Sequence, residues 1–336
     1  MFTITRVDSN AAQDDMLTEQ QVVEGRSDVI LKKEVCFSPQ DIIEKCQDAD
    51  VLTTHFASIS REVFEKLPRC KAVVRYGVGY DTIDVQAASD NGVYVINVPD
   101  FCTEEVSNHV IMFMLCACKK LITLNDLTKS GQWECAKQFQ KPMGCIYGET
   151  IGIIGCGNLG KAVAKKANAF HMKVIGYDPY IAPYQLEKVG IVPAELDEVL
   201  QQSDYVTLHV AQTDETYHLI NEKTLSKMKP NAVLINCSRG PIIDEAALTK
   251  ALKEKKIYMA CLDVFEKEPL DIGNELLSLN QVIVTPHDAS YSDYAFWQLK
   301  TSVMKEALRI LEGKKPLHIV NKSGNVKWRA DEENEG

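Results

Sequence analysis

Short apolar runs alternate with amphipathic stretches along most of the chain. In the first hundred residues, apolar runs over 2–7, 28–36, 50–55, 71–75 and 93–98 read as strands. Between them, 38–47 and 61–67 carry helical periodicity, and Ser38-Pro39 opens the first with a capping serine and a proline at the first helical position. The turn Gly77-Val78-Gly79 leads into a further helix ending near Asn91. A second series follows from Thr150, with strands predicted over 151–154, 174–177, 205–210, 232–236, 257–262 and 281–285. Helices are predicted over 159–170, 196–201, 222–228 and 244–255, with a last one over 292–312. This alternation implies α/β architecture with parallel sheets covered by helices. Between the series, 103–129 reads as one long helix, apolar nearly all round its middle and therefore buried against something large. From Lys322 the chain turns polar and ends RADEENEG, the composition of a disordered tail, assigned to 326–336.

The second series opens on Gly155-Cys156-Gly157-Asn158-Leu159-Gly160. This G-x-G-x-x-G pattern gains meaning from its context, because it follows the strand IGII and opens the helix LGKAVAKKANAF. Gly155 makes the tight turn, Gly157 lets a pyrophosphate approach the backbone, and Gly160 lets helix and strand pack closely. The helix N-terminus offers N–H groups to phosphates. Asp178 ends the next strand, 18 residues beyond Gly160. It stands where an acid accepts hydrogen bonds from the adenosine ribose and repels a 2′-phosphate, so NAD is expected rather than NADP.

Three residues in the last third of the chain each sit just past a predicted strand: Arg239 in NCSRGPIIDE, Glu268 in DVFEKEP and His287 in VTPHDAS. Residues past parallel strands converge at one edge of a sheet, where open α/β folds place their ligands. An arginine suits a carboxylate, and a histidine beside a carboxylate suits proton transfer near neutral pH. With a dinucleotide fingerprint upstream, this set suits hydride transfer on a 2-oxo or 2-hydroxy acid.

Composition narrows the picture further. The 336 residues suffice for two domains, and 45% hydrophobic with 25% charged residues is ordinary for a globular protein. A formal charge of −10 gives no attraction to nucleic acid or an anionic membrane. The 11 cysteines include no C-x-x-C pair and no Cys/His cluster at metal-binding spacing, so no metal is expected. They read as free buried thiols in a reducing cytoplasm. The start MFTITRVDSN lacks the pattern of a signal peptide, and the longest apolar run, 110–118, is too short to span a bilayer.

The stretches VVRYGVGYDTIDV, NVPDFCTEEVSNH, GIIGCGNLG, INCSRGPIIDEAAL, LDVFEKEP and VTPH, in this order, resemble the NAD-dependent D-isomer-specific 2-hydroxyacid dehydrogenases over about 51–321. The wording of the first two looks most like the branch containing the C-terminal-binding proteins and their bacterial enzyme relatives. The resemblance implies a flavodoxin-like substrate domain (1–100 plus 293–325) and a Rossmann NAD-binding domain (101–292), with a cleft between them. It implies a homodimer formed through the long-helix region. Arg239 would bind the substrate carboxylate and carbonyl, Glu268 would pair with His287, and His287 would be the acid/base. Asp263 would meet the nicotinamide side of NAD. Thr103, Asn158, Leu159, Val210, Cys237, Ser238 and Ser290 would line the cofactor, with Arg239 and His287 adjoining it. Tyr76, Val78 and Gly79 would face the substrate. His55 and His109 read as structural, and Tyr291 and Trp297 as packing residues.

The chain departs from the family pattern at Ala211, where proline is frequent and whose exchange is expected to loosen a cofactor loop. It departs also at Asn108, which replaces a frequent acid, and in the run Asp288-Ala289-Ser290-Tyr291. Substrate identity is expected to depend on such positions. Two other readings fit the same resemblance: an NAD-sensing co-repressor like the C-terminal-binding proteins, and a phosphoglycerate-type dehydrogenase.

Overall fold

The computed structural model describes residues 1–8, 10, 15–321 and 327–330. It divides into two compact units, Met1–Phe101 with Ser292–Gly336, and Cys102–Tyr291.

The first unit is built on β1 (Phe2–Asp8), β2 (Val29–Val35), β3 (Val51–Thr54), β4 (Ala72–Arg75) and β5 (Tyr94–Ile96). They form an all-parallel sheet in the order β2-β1-β3-β4-β5, the flavodoxin-like arrangement. Helices α1 (Leu17–Val23), α2 (Pro39–Lys45), α3 (Arg61–Lys66) and α4 (Val85–Asp90) connect the strands. Ser38 closes a capping box with Asp41 at the start of α2, as the Ser-Pro pair predicts. One core face gathers Val7, Ile42, Leu52, Phe64, Val73 and Val95. The short polar helix α1 has no counterpart in the hydrophobic pattern. It packs beside α13 (Asp293–Leu311), which returns to this unit.

Residues 327–330 do not behave as part of a disordered tail. Trp328 stacks on Tyr94 with ring centroids 4.0 Å apart. Arg329 donates to the carbonyls of Leu67 and Cys70 at 2.8 and 3.0 Å. An aromatic ring and a multiple donor anchor the segment despite its polar setting. The rest of the expected tail lies outside the described residues.

The second unit holds β6 (Thr150–Ile154), β7 (Lys173–Tyr177), β8 (Val192–Pro193), β9 (Tyr205–Leu208), β10 (Val233–Asn236), β11 (Met259–Leu262) and β12 (Val282–Val284). Its parallel sheet runs β12-β11-β10-β9-β6-β7-β8. The order reverses at β6, the doubly wound arrangement whose switch point lies beside the first strand of the nucleotide fold. The predicted long helix is two helices, α5 (Thr103–Lys119) and α6 (Leu121–Lys129). Lys120 adopts a left-handed conformation with φ 51°, which ends α5 and redirects the chain. Val110, Phe113, Met114 and Ala117 of α5 are buried, and α5 packs on α8 (Asn158–Ala169) and on the β10–β11 face. α6 has no buried residue. The short α7 (Trp133–Phe139) and α9 (Pro183–Glu187) were not evident from the pattern, whereas α10 (Leu196–Gln202), α11 (Glu222–Leu225) and α12 (Glu245–Lys253) fall where periodicity puts them.

All eleven cysteines are free. Most are buried, but Cys135 and Cys145 are exposed, so the expectation of buried thiols fails at those two. Among the described residues, no helix is long and apolar enough to cross a membrane.

Candidate active site

The switch point at β6 carries the glycine turn. Gly155 has φ +91°, and a Cβ there would lie 2.7 Å from the His209 backbone. A Cβ at Gly160 would lie 2.3 Å from the Gly155 carbonyl oxygen. These two positions therefore demand glycine. A Cβ at Gly157 would meet nothing of the protein within 4 Å. Gly157 is the N-cap of α8, and no side chain caps that helix. The combination leaves a bare helix N-terminus with an open approach, suited to a phosphate. Asp178, just past β7, accepts from the Cys156 N–H at 2.9 Å and from the Tyr180 N–H at 3.0 Å. Its carboxylate is thus fixed at the rim of the same turn. His209, just past β9, is partly buried, and desolvation pushes it down to about 4, so it stands neutral behind the cradle.

Strands β10, β11 and β12 are neighbours, and the segments past their carboxyl ends bring Arg239, Glu268 and His287 to one edge of the sheet. Arg239 follows β10 with extended backbone, φ −141°. A Cβ on the next residue, Gly240, would fall 1.9 Å from the Phe265 carbonyl. Glycine is therefore required there, and the close approach fixes where Arg239 emerges. Its Nη1 donates to the Ser238 carbonyl at 2.8 Å. Glu268 and His287 meet at 2.6 Å, Oε2 to Nδ1. Burial of Glu268 opposes its ionisation. The hydrogen bonds from His287 and the Phe265 N–H, with the charges of His287 and Arg239, outweigh that and hold it below the usual glutamate range. An ionised carboxylate only accepts, so Nδ1 carries the proton and donates. Nε2 is left for proton exchange with a ligand. His287 has φ +56°, an uncommon conformation for a non-glycine residue that turns the chain sharply past the strand.

Asp263, just past β11 and 1% exposed, organises that turn. Its Oδ1 accepts from the Thr285 hydroxyl at 2.5 Å and the Asp288 N–H at 2.9 Å, and its Oδ2 from the Ala289 N–H at 3.0 Å. Since Thr285 donates to a carboxylate, its oxygen accepts from His109 Nε2 at 3.1 Å. His109 comes from α5, where it stands edge-on to Phe113 at 4.5 Å.

Residues 111–289 match the family model of the D-isomer specific 2-hydroxyacid dehydrogenase NAD binding domain. The chain is 37% identical over 292 residues to a glyoxylate reductase of Korarchaeum cryptofilum, an alignment covering 86% of this chain and 88% of that one. The chain belongs to the D-isomer specific 2-hydroxyacid dehydrogenase family. A D-3-phosphoglycerate dehydrogenase of Methanocaldococcus jannaschii is 39% identical over 284 residues, 84% of this chain. The chain spans about half the length of that relative, 53%. A D-lactate dehydrogenase of Aquifex aeolicus, solved with NAD and lactic acid, superposes with a TM-score of 0.81 at 27% identity, covering 95% of this chain and 100% of that one.

NAD is the cofactor of this family's nucleotide domain, and the cradle fits it. The bare helix end suits the pyrophosphate, and Asp178 suits two ribose hydroxyls. Thr103 is the first residue of α5, and its carbonyl accepts from Ser107 Oγ at 2.5 Å. The Val210 carbonyl, past β9, accepts from Ser238 Oγ at 2.5 Å, tying two predicted cofactor-lining residues together. Cys237 is buried just past β10, and Ser290 lies on the turn after His287. At Ala211 the loop is not left loose: its carbonyl accepts from Thr216 Oγ1 at 2.6 Å, and the Thr213 N–H donates to that same hydroxyl at 2.8 Å. Side-chain hydrogen bonds do here what proline does by its ring.

The first unit places the remaining predicted residues past β4. Tyr76 is buried and its hydroxyl lies 3.0 Å from Glu19 Oε1, so its ring is turned into that unit. The Val78 carbonyl accepts from Asn97 Nδ2 at 2.7 Å. Thr285 and Asp288 were not anticipated as partners of the acid/base turn. The unusual run after His287 was a signal for Asp288 alone; Thr285, which precedes His287, had none. His109, expected to be structural, is joined through Thr285 to the strand-end turn that Asp263 holds.

Proposed function

We propose that this chain is an NAD-dependent D-2-hydroxyacid dehydrogenase that reduces small 2-oxo acids, with glyoxylate the first candidate. The observation that carries the reading is the 2.6 Å His287–Glu268 pair on the strand end two places from Arg239. Arg239 grips the substrate carboxylate and polarises the carbonyl. NADH, when bound, supplies the hydride to C2. His287 gives its Nε2 proton to the carbonyl oxygen as negative charge develops there. Glu268 holds the Nδ1–H and fixes the ring. In the reverse direction the neutral Nε2 accepts the hydroxyl proton. Val78 and Gly79 are proposed substrate contacts supplied by the first unit; Tyr76, expected beside them, is buried on Glu19 and is not one of them.

The names of the relatives support a small substrate. The co-repressor reading rests on the motif wording alone. Cytoplasmic residence agrees with eleven free thiols. A homodimer through α6 and α7 agrees with the exposed apolar side chains there, Leu121, Ile122, Trp133 and Phe139. The test is NADH oxidation with glyoxylate, pyruvate, hydroxypyruvate, and branched, aromatic and dicarboxylic 2-oxo acids. Turnover of glyoxylate with chiral recovery of D-products from the larger acids is expected. Failure with every 2-oxo acid, despite NADH binding, would sink the enzyme reading.

A further inference from the structure

Asp288 is a departure of this chain from its family's pattern, and it joins a cluster that the mechanism above does not use. The ligand-bearing atoms of His109, Asp263 and Asp288 all lie within 4.8 Å of one another. Asp263 is 1% exposed and already accepts three hydrogen bonds. Two carboxyl groups this close, one of them wholly buried, resist carrying two charges.

The cluster's position gives that resistance a consequence. β11 lies between β10, which bears Arg239, and β12, which bears His287. A nicotinamide bound so as to serve both residues would lie near the end of β11, where Asp263 would face it. The oxidised ring carries a positive charge and the reduced ring none.

Building on the NAD-dependent reading, we propose that Asp288, exposed on the turn after His287, is a positioning residue that shares a proton with the buried Asp263 and releases it when the oxidised cofactor binds. The step is a plain dissociation: the Asp288 carboxylic acid becomes carboxylate and its proton goes to solvent. The groups facing Asp288 are Asp263 past β11, His109 on α5 and Cys237 past β10, with His287 next to it in the chain. Burial and the charge of Asp263 raise Asp288 above the usual aspartate range, and His109 opposes them. Burial, Asp263 and Asp288 push the Cys237 thiol well up, so it stays neutral. Proton release then favours NAD+ over NADH as pH rises, and Asp263 keeps its hold on the turn in both states.

The test is calorimetric titration of the full chain with NAD+ and with NADH across pH 5 to 9, in two buffers of different ionisation enthalpy. It is run also in His287→Gln, so that the imidazole contributes no proton. Within the window where Asp288 titrates, the ratio of NAD+ to NADH affinity should rise by up to about tenfold per pH unit. NAD+ binding should release up to about one proton and NADH binding none. Asp288→Asn should flatten the ratio and abolish the release. A flat ratio in the His287→Gln protein, or a slope that survives Asp288→Asn, overturns the inference while leaving the dehydrogenase reading intact. If neither nucleotide binds, both fall. Should Asp288→Asn fail to fold, His109→Gln decides, since it keeps a donor for Thr285 but removes the charge facing Asp288. The release window should then move to higher pH, and an unmoved window overturns the proposal.

Discussion

At the carboxyl edge of the first sheet, Asp8 is wholly buried, and its carboxylate accepts from the backbone N–H groups of His55, Phe56 and Ala57 at 2.7–3.1 Å. Arg6, two residues earlier, lies 3.5 Å from Asp8, 3.8 Å from Glu19 and 4.7 Å over the Tyr76 ring. At the corresponding edge of the second sheet, His287 and Glu268 are paired but 44% and 35% exposed. Both sheets are parallel and both edges collect charge. In the first unit the charges satisfy one another and hold loops in place. In the second, an imidazole nitrogen and a guanidinium face outward, with partners that orient them. Topology chooses the edge, and burial decides whether its polar groups are structural or chemical.

The sharpest way to break that contrast is to remove one arginine from each edge. Arg239→Ala should lower kcat/KM for a 2-oxo acid by about 10³-fold, as expected for losing a charged group that stabilises a developing oxyanion. Thermal stability should hardly move. Arg6→Met should do the reverse. It takes the arginine from the buried Asp8 and Glu19, leaving Glu19 with Lys300 at 3.8 Å and the Tyr76 hydroxyl, at a cost of about 3 kcal/mol in unfolding free energy. Denaturant titration beside steady-state kinetics separates the two. An Arg239→Ala protein as unstable as Arg6→Met would mean that Arg239 belongs with the structural charges.

A somewhat smaller effect comes from a partly buried group within the second unit. His209 lies behind the glycine cradle, its Nε2 3.0 Å from Thr207 Oγ1, and burial pushes it down to about 4 from the ordinary 6.5. The unfolded chain therefore takes up this proton more readily than the folded one. Stability contributed by neutral His209 is complete above about pH 6.5 and declines as pH falls toward 4, by roughly 3 kcal/mol in total. Denaturant titrations at pH 7, 5.5 and 4.5 should show a loss that a His209→Asn variant lacks. An identical decline in that variant would assign the acid sensitivity elsewhere.

The glycine turn, Asp178 and the residues past β10, β11 and β12 were legible because each obeys a local rule: a strand, then a required backbone geometry, then a polar residue at the sheet edge. Arg6 was not legible as a buried charge. In β1 the alternation Phe2-Thr3-Ile4-Thr5 breaks at Arg6, and both faces of the strand are buried, so the pattern does not mark Arg6 as an inward charge. The break at Lys120 was invisible because nothing in its sequence compels a left-handed turn. Helix α1 was missed because LTEQQVV offers only a short stripe of apolar positions. The partnership of His109 with Thr285 spans 176 positions of sequence, and no local pattern carries information over that distance.

Glu268→Gln sharpens the contrast at the smallest scale. The amide oxygen can still accept from Nδ1, so the ring orientation survives while the negative charge is lost. Oxidation places positive charge on the ring as Nε2 takes the hydroxyl proton, and the carboxylate offsets that charge where the amide does not. The kcat for oxidation should therefore fall by about tenfold, equivalent to about 1.4 kcal/mol. Reduction, in which the ring gives that charge up, should fall less. Asp8→Asn makes the structural control, because its carboxylate meets backbone donors and no ligand group: stability should fall and kcat should hold in both directions. A Glu268→Gln enzyme slowed equally in both directions would place Glu268 in the same class as Asp8, a carboxylate that holds a loop and does not stabilise charge on the ring.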